Sequence, residues 1–282
     1  MEPRTVGVLG TGTMGAGIVQ VAAQSGFKVV ACDLSVEALE RAQIYVRDGL
    51  SRFAGKGVIP DWEAAYDRIH WTVNLEEMSE TQAVIEAVVE RVEPKKEALG
   101  ALDALLPPDS LILTNTSSIS ITELAAATNR PDRVCGTHFF TPPPLREAVE
   151  IPRGLLTSDE TVERVKELIG SFGKLPVVIR KDVPGFVANR FLMPMLIEAA
   201  RLLEEGVASK EEIDLIVKKG IGFPIGPFEL GDLIGLDVGL DVLSYIHDEL
   251  GEPYYTPPRI IKEMVRAGKL GRKTGEGFYN YS

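Results

Sequence analysis

His138 follows the apolar run Val134-Cys135-Gly136-Thr137 and precedes Phe139-Phe140-Thr141-Pro142, and it is one of only three histidines in 282 residues. Histidine exchanges protons readily near neutral pH, so one at the end of a strand-like run is placed as a general acid or base. The competing reading is a loop histidine with a capping role. His70 begins or precedes a strand-like run and His247 lies on an apolar-patterned helix, so both read as structural. Twelve residues beyond His138, Glu150 interrupts Ala148-Val149-Glu150-Ile151. A carboxylate is costly to bury in such a run unless it is paired, and a histidine partner would satisfy it. Asn115-Thr116-Ser117-Ser118 ends another apolar run, either as a polar site cluster or as the cap of a helix over 121–127. There is no G-x-S-x-G elbow. The histidines and the two cysteines lack metal-ligand spacing, so no metal site is expected.

A second constellation lies at the N-terminus. Val6-Gly7-Val8-Leu9 runs into Gly10-Thr11-Gly12-Thr13-Met14-Gly15, a G-x-G-x-x-G turn, and Val29-Val30-Ala31-Cys32 ends in Asp33. Gly10 permits the tight turn, Gly12 lets a pyrophosphate approach the backbone, and Gly15 allows close helix packing. The helix starting near Thr13 and Met14 offers N–H groups and a positive dipole end to phosphates. Asp33 has the position of the acid that accepts from ribose hydroxyls and repels a 2′-phosphate, and the next basic residue is Arg41. NAD is therefore the expected cofactor. The bland reading of Asp33 is a helix-capping or solvated acid.

These residues need a scaffold, and the pattern around them supplies one. Strands are expected at 5–9, 28–32, 69–73, 83–87, 111–115, 134–137, 148–151 and 176–179, alternating with helices at 36–53, 95–105, 121–127 and 159–172. That alternation predicts an α/β fold, a doubly wound and mostly parallel sheet of Rossmann type. After Lys181 the strand signal stops. Helices are expected at 186–205, after the Ser209-x-x-Glu212 capping box, and at 231–250 and 258–267, which makes the remainder an all-α C-terminal domain. The boundary falls near Asp182-Val183-Pro184-Gly185, giving a nucleotide-binding domain at 1–183 and a helical substrate and dimerisation domain at 184–282. The 186–205 face carries Phe191, Leu192, Met195, Leu196, Ala199, Leu202 and Leu203, which is either core or a homodimer interface.

Composition narrows the function classes. A formal charge of −11 argues against non-specific nucleic-acid binding, which needs a basic surface. Cys32 and Cys135 sit singly in apolar runs and read as reduced core residues. No apolar run approaches a membrane span, and the first strand starts within five residues of the N-terminus, so a cytoplasmic protein is expected.

The chain resembles the L-3-hydroxyacyl-CoA dehydrogenase family, most closely its short bacterial members. The resemblance runs through Gly10–Gly15, Asn115–Ser118, His138-Phe139-Phe140, Asp182–Arg190, Phe223-Pro224-Ile225-Gly226-Pro227-Phe228-Glu229-Leu230 and Lys273-Thr274-Gly275-Glu276-Gly277-Phe278-Tyr279. It implies interconversion of 3-hydroxyacyl-CoA and 3-ketoacyl-CoA with NAD. In those terms His138 exchanges the substrate proton, Glu150 orients it and favours its charged form, Ser117 holds the substrate oxygen, and Asn189 polarises the acyl portion. The resemblance also implies NAD contacts at Asp33, Glu90, Lys95 and Lys273, with Asn115 and Ser117 as further cofactor candidates. Lys56, and Arg52 one helical turn before it, would meet CoA; otherwise they are a solvated pair. The sequence departs from the family at Gly49, where some members carry a CoA-contacting serine, and at Thr141-Pro142-Pro143-Pro144-Leu145-Arg146, which replaces an Asn-Pro-x-Pro-Met-Lys-like run. A hydroxy-acid dehydrogenase acting on a free acid and a catalytically silent NAD-binding protein are the competing readings.

Overall fold

A computed structural model describes residues 5–281. They form two compact units, the first running to Asp182 and the second beginning at Val183. The first carries strands β1 (Thr5–Leu9), β2 (Lys28–Cys32), β3 (Ile69–Thr72), β4 (Ala83–Glu86), β5 (Leu111–Thr114), β6 (Val134–Gly136), β7 (His138–Phe139), β8 (Ala148–Pro152) and β9 (Leu175–Ile179). Among them run helices α1 (Thr13–Gln24), α2 (Val36–Gly55), α3 (Trp62–Tyr66), α4 (Val92–Leu105), α5 (Ile121–Ala125) and α6 (Asp159–Ser171).

Six strands form a fully parallel sheet in the order β3-β2-β1-β4-β5-β6. The four residues of β4 and the four of β5 are all buried, which is why these strands read as apolar runs up to their last residues, Glu86 and Thr114. The order reverses between β1 and β4, and in open sheets ligands settle outside the strand ends at that switch. Register aligns those ends: Leu9 faces both Cys32 and Glu86, Glu86 faces Thr114, and Thr114 faces Gly136. The residues that follow (Gly10, Asp33, Ala87, Asn115 and Thr137) therefore lie along one edge.

The later strands depart from a single sheet. The expected strand over 134–137 stops at Gly136, and His138 belongs to β7 instead of a loop; β7 pairs antiparallel with β8, which pairs parallel with β9. A side chain at Gly136 would lie 2.3 Å from the Pro152 ring, so the chain turns where two strands touch. Asn115 then catches the new strand, its Oδ1 accepting from Phe139 N–H at 3.0 Å.

The second unit is helical: α7 (Ala188–Glu204), α8 (Lys210–Leu215), α9 (Pro227–Ile234), α10 (Leu236–Leu250) and α11 (Arg259–Arg266). The capping box at Ser209 and Glu212 is formed. The helix expected over 231–250 is two, broken at Gly235, whose φ of 102° no helix accommodates. The α7 face is divided: Leu196 and Ala199 join Met193, Ile197, Phe228 and Ile246 in the core, while Phe191 is 76% exposed.

Candidate active site

At the switch point the glycine turn is shaped by contact. Gly10 has φ 93°, and a Cβ there would fall 2.7 Å from the Ala87 carbonyl; one at Gly15 would fall 1.8 Å from Gly10 O. Both positions exclude a side chain. Gly12 differs, since a Cβ there would meet nothing within 4 Å. Gly12 is also the N-cap of α1 and supplies no side-chain cap to its N–H groups. A backbone left bare toward open space, at a helix N-terminus, fits a dinucleotide pyrophosphate. Thr13 and Met14 form the first turn above it.

Asp33 anchors this turn. Its Oδ2 accepts from Thr11 N–H at 2.7 Å and from Thr11 Oγ1 at 3.1 Å, and Oδ1 accepts from Ser35 N–H at 3.0 Å. The capping reading does not describe Asp33, since Ser35 caps α2 and Thr11 precedes α1. A carboxylate has about four lone-pair sites, so these bonds leave acceptor capacity for ribose hydroxyls.

Beside β4 lies a buried charge cluster. Lys95 is 1% exposed, and its Nζ donates to Glu86 Oε1 at 2.7 Å and lies 3.3 Å from Glu90 Oε2. Glu86 also accepts from Val88 N–H and Thr114 Oγ1. Burial pushes the Glu86 carboxyl above its usual range against the pull of Lys95 and these donors. Burial presses Glu90 upward too, but Lys95 and the donors Thr116 and Ser117 outweigh it, leaving Glu90 below the usual range. Glu90 Oε1 accepts from Thr116 Oγ1, from Ser117 N–H at 2.6 Å and from Ser117 Oγ at 3.0 Å. Lys95 therefore stands behind the site surface and secures Glu90, which secures Ser117. The Asn115–Ser118 cluster is not the α5 cap: Ser120 caps that helix, and Asp182 accepts from Ser120 Oγ and from the N–H groups of Ile121 and Thr122. Glu86 went unremarked in the sequence, although an acid ending the apolar run Ala83-Val84-Ile85 carries the same signal as Glu150.

The register of β7 and β8 sets His138 opposite Glu150. His138 Nδ1 lies 2.7 Å from Glu150 Oε2, with both residues buried. The Phe140 ring packs 4.8 Å from the imidazole. An Nδ1–H held by a carboxylate fixes the neutral tautomer with its lone pair on Nε2. This arrangement can take a proton at Nε2 and bear the resulting charge against Glu150.

Arg52 in the last turn of α2 and Lys56 just after it are exposed. Gly49 is buried, and a Cβ there would lie 2.2 Å from Gln20 Oε1, so a serine would need Gln20 to move. In the second unit Asn189 is buried in the first turn of α7, and Lys273 Nζ pairs with Asp237. Among the described residues no group of three or more His, Cys, Asp or Glu is arranged to hold a metal ion, and no helix is long and apolar enough to cross a membrane.

A six-stranded parallel sheet with this turn at its switch point, beside an acid-paired histidine, defines a nicotinamide-dinucleotide dehydrogenase. Residues 5–183 match the NAD binding domain of 3-hydroxyacyl-CoA dehydrogenase, and residues 185–281 match its C-terminal domain. A probable 3-hydroxybutyryl-CoA dehydrogenase of Deinococcus radiodurans is 45% identical over 98% of this chain and 99% of its own length. The crystal structure of (S)-3-hydroxybutyryl-CoA dehydrogenase from Ralstonia eutropha superposes with a TM-score of 0.92 at 44% identity, covering 100% of both chains. That of FadB2 from M. tuberculosis gives 0.94 at 38%, covering 98% of each. This chain belongs to the 3-hydroxyacyl-CoA dehydrogenase family, and its cofactor is NAD.

Proposed function

We propose that this chain interconverts (S)-3-hydroxyacyl-CoA and 3-ketoacyl-CoA, with the short-chain 3-hydroxybutyryl-CoA as its substrate. The His138–Glu150 contact at 2.7 Å, in facing register on adjacent strands, carries the reading. When bound, NAD supplies the hydride acceptor for C3 of the alcohol. His138 Nε2 takes the proton of the 3-hydroxyl, and in the reducing direction the imidazolium returns it. Glu150 holds the ring and offsets its charge. Ser117, fixed through both its N–H and its hydroxyl by Glu90, keeps its Oγ lone pairs to accept from the substrate 3-hydroxyl. By the family correspondence Asn189 acts on the acyl carbonyl and Lys273 on the cofactor. Asp33, Glu90 and Asn115 stand on the cofactor side, and Arg52 and Lys56 meet CoA phosphates.

The names of the relatives support the acyl-CoA substrate, and their short-chain titles support the four-carbon acyl group. The exposed Phe191 supports pairing of the helical unit with a second copy, and the two single, buried, unbridged cysteines support a reducing, cytoplasmic setting. The test is oxidation of NADH with acetoacetyl-CoA, longer 3-ketoacyl-CoAs and free acetoacetate. Turnover should be highest with acetoacetyl-CoA and negligible with the free acid, and His138→Gln should lower kcat by about two to four orders of magnitude. Comparable activity on the free acid, or a His138→Gln variant with most of its turnover, would overturn the proposal.

A further inference from the structure

The loop that joins His138 to Glu150 is held by a lysine that plays no part in the chemistry above. Lys174, just before β9, is 8% exposed. Its Nζ donates to the carbonyls of Pro143 at 2.8 Å, Pro144 at 3.3 Å and Arg146 at 2.8 Å. An ammonium has three donors, and here all three are spent on one loop. The reason lies in the sequence. Pro142, Pro143 and Pro144 bring no N–H groups, so the segment offers mostly acceptors and has few backbone donors of its own, Leu145 N–H to Pro142 O among them. Burial disfavours the charged form of Lys174 and pushes its pKa down, so the carbonyls compensate a real cost.

The other side of the loop rests on α1. The Pro143 ring lies so close that a Cβ at Gly17 would be 2.6 Å from its Cδ. Thr141 Oγ1 lies 3.1 Å from the Met14 sulfur, and Arg146 Nε donates to Thr141 O at 2.9 Å. The loop is thus seated on the helix whose first turn faces the dinucleotide and is strapped from behind by Lys174. Its two ends are the strands that carry His138 and Glu150.

We infer that Lys174 is a positioning residue, fixing the spacing between the cofactor helix and the His138–Glu150 pair by clamping the β7–β8 loop onto α1. The inference rests on the proposed role of His138. A misplacement of about 1 Å costs on the order of a hundredfold in rate, so Lys174→Met should lower kcat by about 10- to 100-fold while NADH affinity stays within about threefold. The strap itself has a readout independent of turnover. The amides of Leu145, bonded to Pro142 O, and Leu175, bonded to Glu147 O, should exchange at least about tenfold faster in Lys174→Met. Those of Gly10, bonded to Cys32 O, and Ala87, bonded to Leu9 O, should keep their rates. Gly17→Ala, which pushes Pro143 off α1 while leaving Lys174 intact, should show the same local exchange and the same loss, and it carries the test if Lys174→Met does not fold. Turnover within threefold of wild type in the folded variants, or exchange rising equally at Gly10 and Ala87, overturns the inference. A His138→Gln control that stays active overturns the catalytic assignment instead, whatever Lys174→Met does.

Discussion

Replacing Glu150 with glutamine keeps the shape of the pair and removes its charge. The glutamine carbonyl can sit where Oε2 sits, 2.7 Å from Nδ1, and still accept the ring N–H. What disappears is the attraction between carboxylate and imidazolium, which at charge centres about 4 Å apart and an effective dielectric of about 20 is worth about 4 kcal/mol. His138 is 8% exposed and Glu150 5%, so solvent screens little of it. At about 1.4 kcal/mol per decade this sets a ceiling near three orders of magnitude on the rate. Relaxation of the surroundings trims it, and an amide flipped to point its NH2 at Nδ1 adds to it by imposing the wrong tautomer. We expect kcat for 3-hydroxybutyryl-CoA oxidation to fall by about 10²- to 10³-fold, with NAD affinity within about threefold, because the ring gains its charge as the hydroxyl proton arrives. Stopped-flow hydride transfer to pre-bound NAD measures the step directly, and protein-fluorescence titration measures binding. A Glu150→Gln enzyme within threefold of wild type in the chemical step would refute the charge argument, even if His138 proved essential.

Gly12→Ala should melt like the wild type, since its Cβ meets nothing within 4 Å, yet bind NADH at least about tenfold more weakly by filling the phosphate approach. Unchanged NADH binding would show that the cofactor does not use this backbone. Lys56→Ala should raise KM for acetoacetyl-CoA with little change in kcat, an effect that fades with salt and disappears for an N-acetylcysteamine thioester. An equal penalty for both substrates would assign Lys56 to the fold or acyl pocket. Asp103 tests the scaffold: burial pushes its carboxyl up, but Asn129 and Arg130 outweigh burial and hold it below the usual range. Its stabilisation is therefore present above the ordinary aspartate value and lost as pH falls through the depressed one. Asp103→Asn should cost about 1–3 kcal/mol at neutral pH, with the gap closing in acid; urea melts showing a constant gap would count against it.

The legible parts of this molecule are those whose cause is local. A strand buried on both faces reads as an apolar run, so β1 and the first three residues of β4 and β5 announce themselves, and the glycine turn shows as a spaced motif within six residues, although Gly10 is also closed by the distant Ala87 carbonyl. Glu150 is readable because a lone acid in an apolar run must find a partner. Distant partners leave weaker traces. The two-residue β7 is defined by Asn115 and by its pairing with β8, and no pattern of two residues can signal that. The α5 cap draws on Asp182, about sixty residues away in sequence, and no local pattern pairs the two. Lys174 looks like a surface lysine before a strand until the proline loop arrives to consume its donors. The break at Gly235 was hidden because one glycine in a helical pattern is tolerated as often as it terminates.

Two long motifs behind the family resemblance, Phe223–Leu230 and Lys273–Tyr279, do their visible work in folding the second unit. Asp214 accepts from the N–H groups of Phe228 and Glu229 and from the Tyr279 hydroxyl, joining the Phe223–Leu230 motif to the C-terminal one. Asp232 accepts from the N–H groups of Phe278 and Tyr279 and from the Tyr281 hydroxyl. Both carboxylates are 1% exposed. Buried charges of that kind must be saturated with donors, and the donors here are backbone groups that only one chain path can present. The glycines of the motifs follow from the same demand, because a Cβ at Gly226 would lie 2.2 Å from Asp214 and one at Gly277 2.0 Å from Asp232. Burial and the neighbouring Asp214 hold the Tyr279 hydroxyl well above its usual range, keeping it a donor. A motif can thus mark a family largely through architecture, and the chemistry we propose for this one rests mainly on shorter signals: an open Gly12, a serine pinned by Glu90, and a histidine facing an acid.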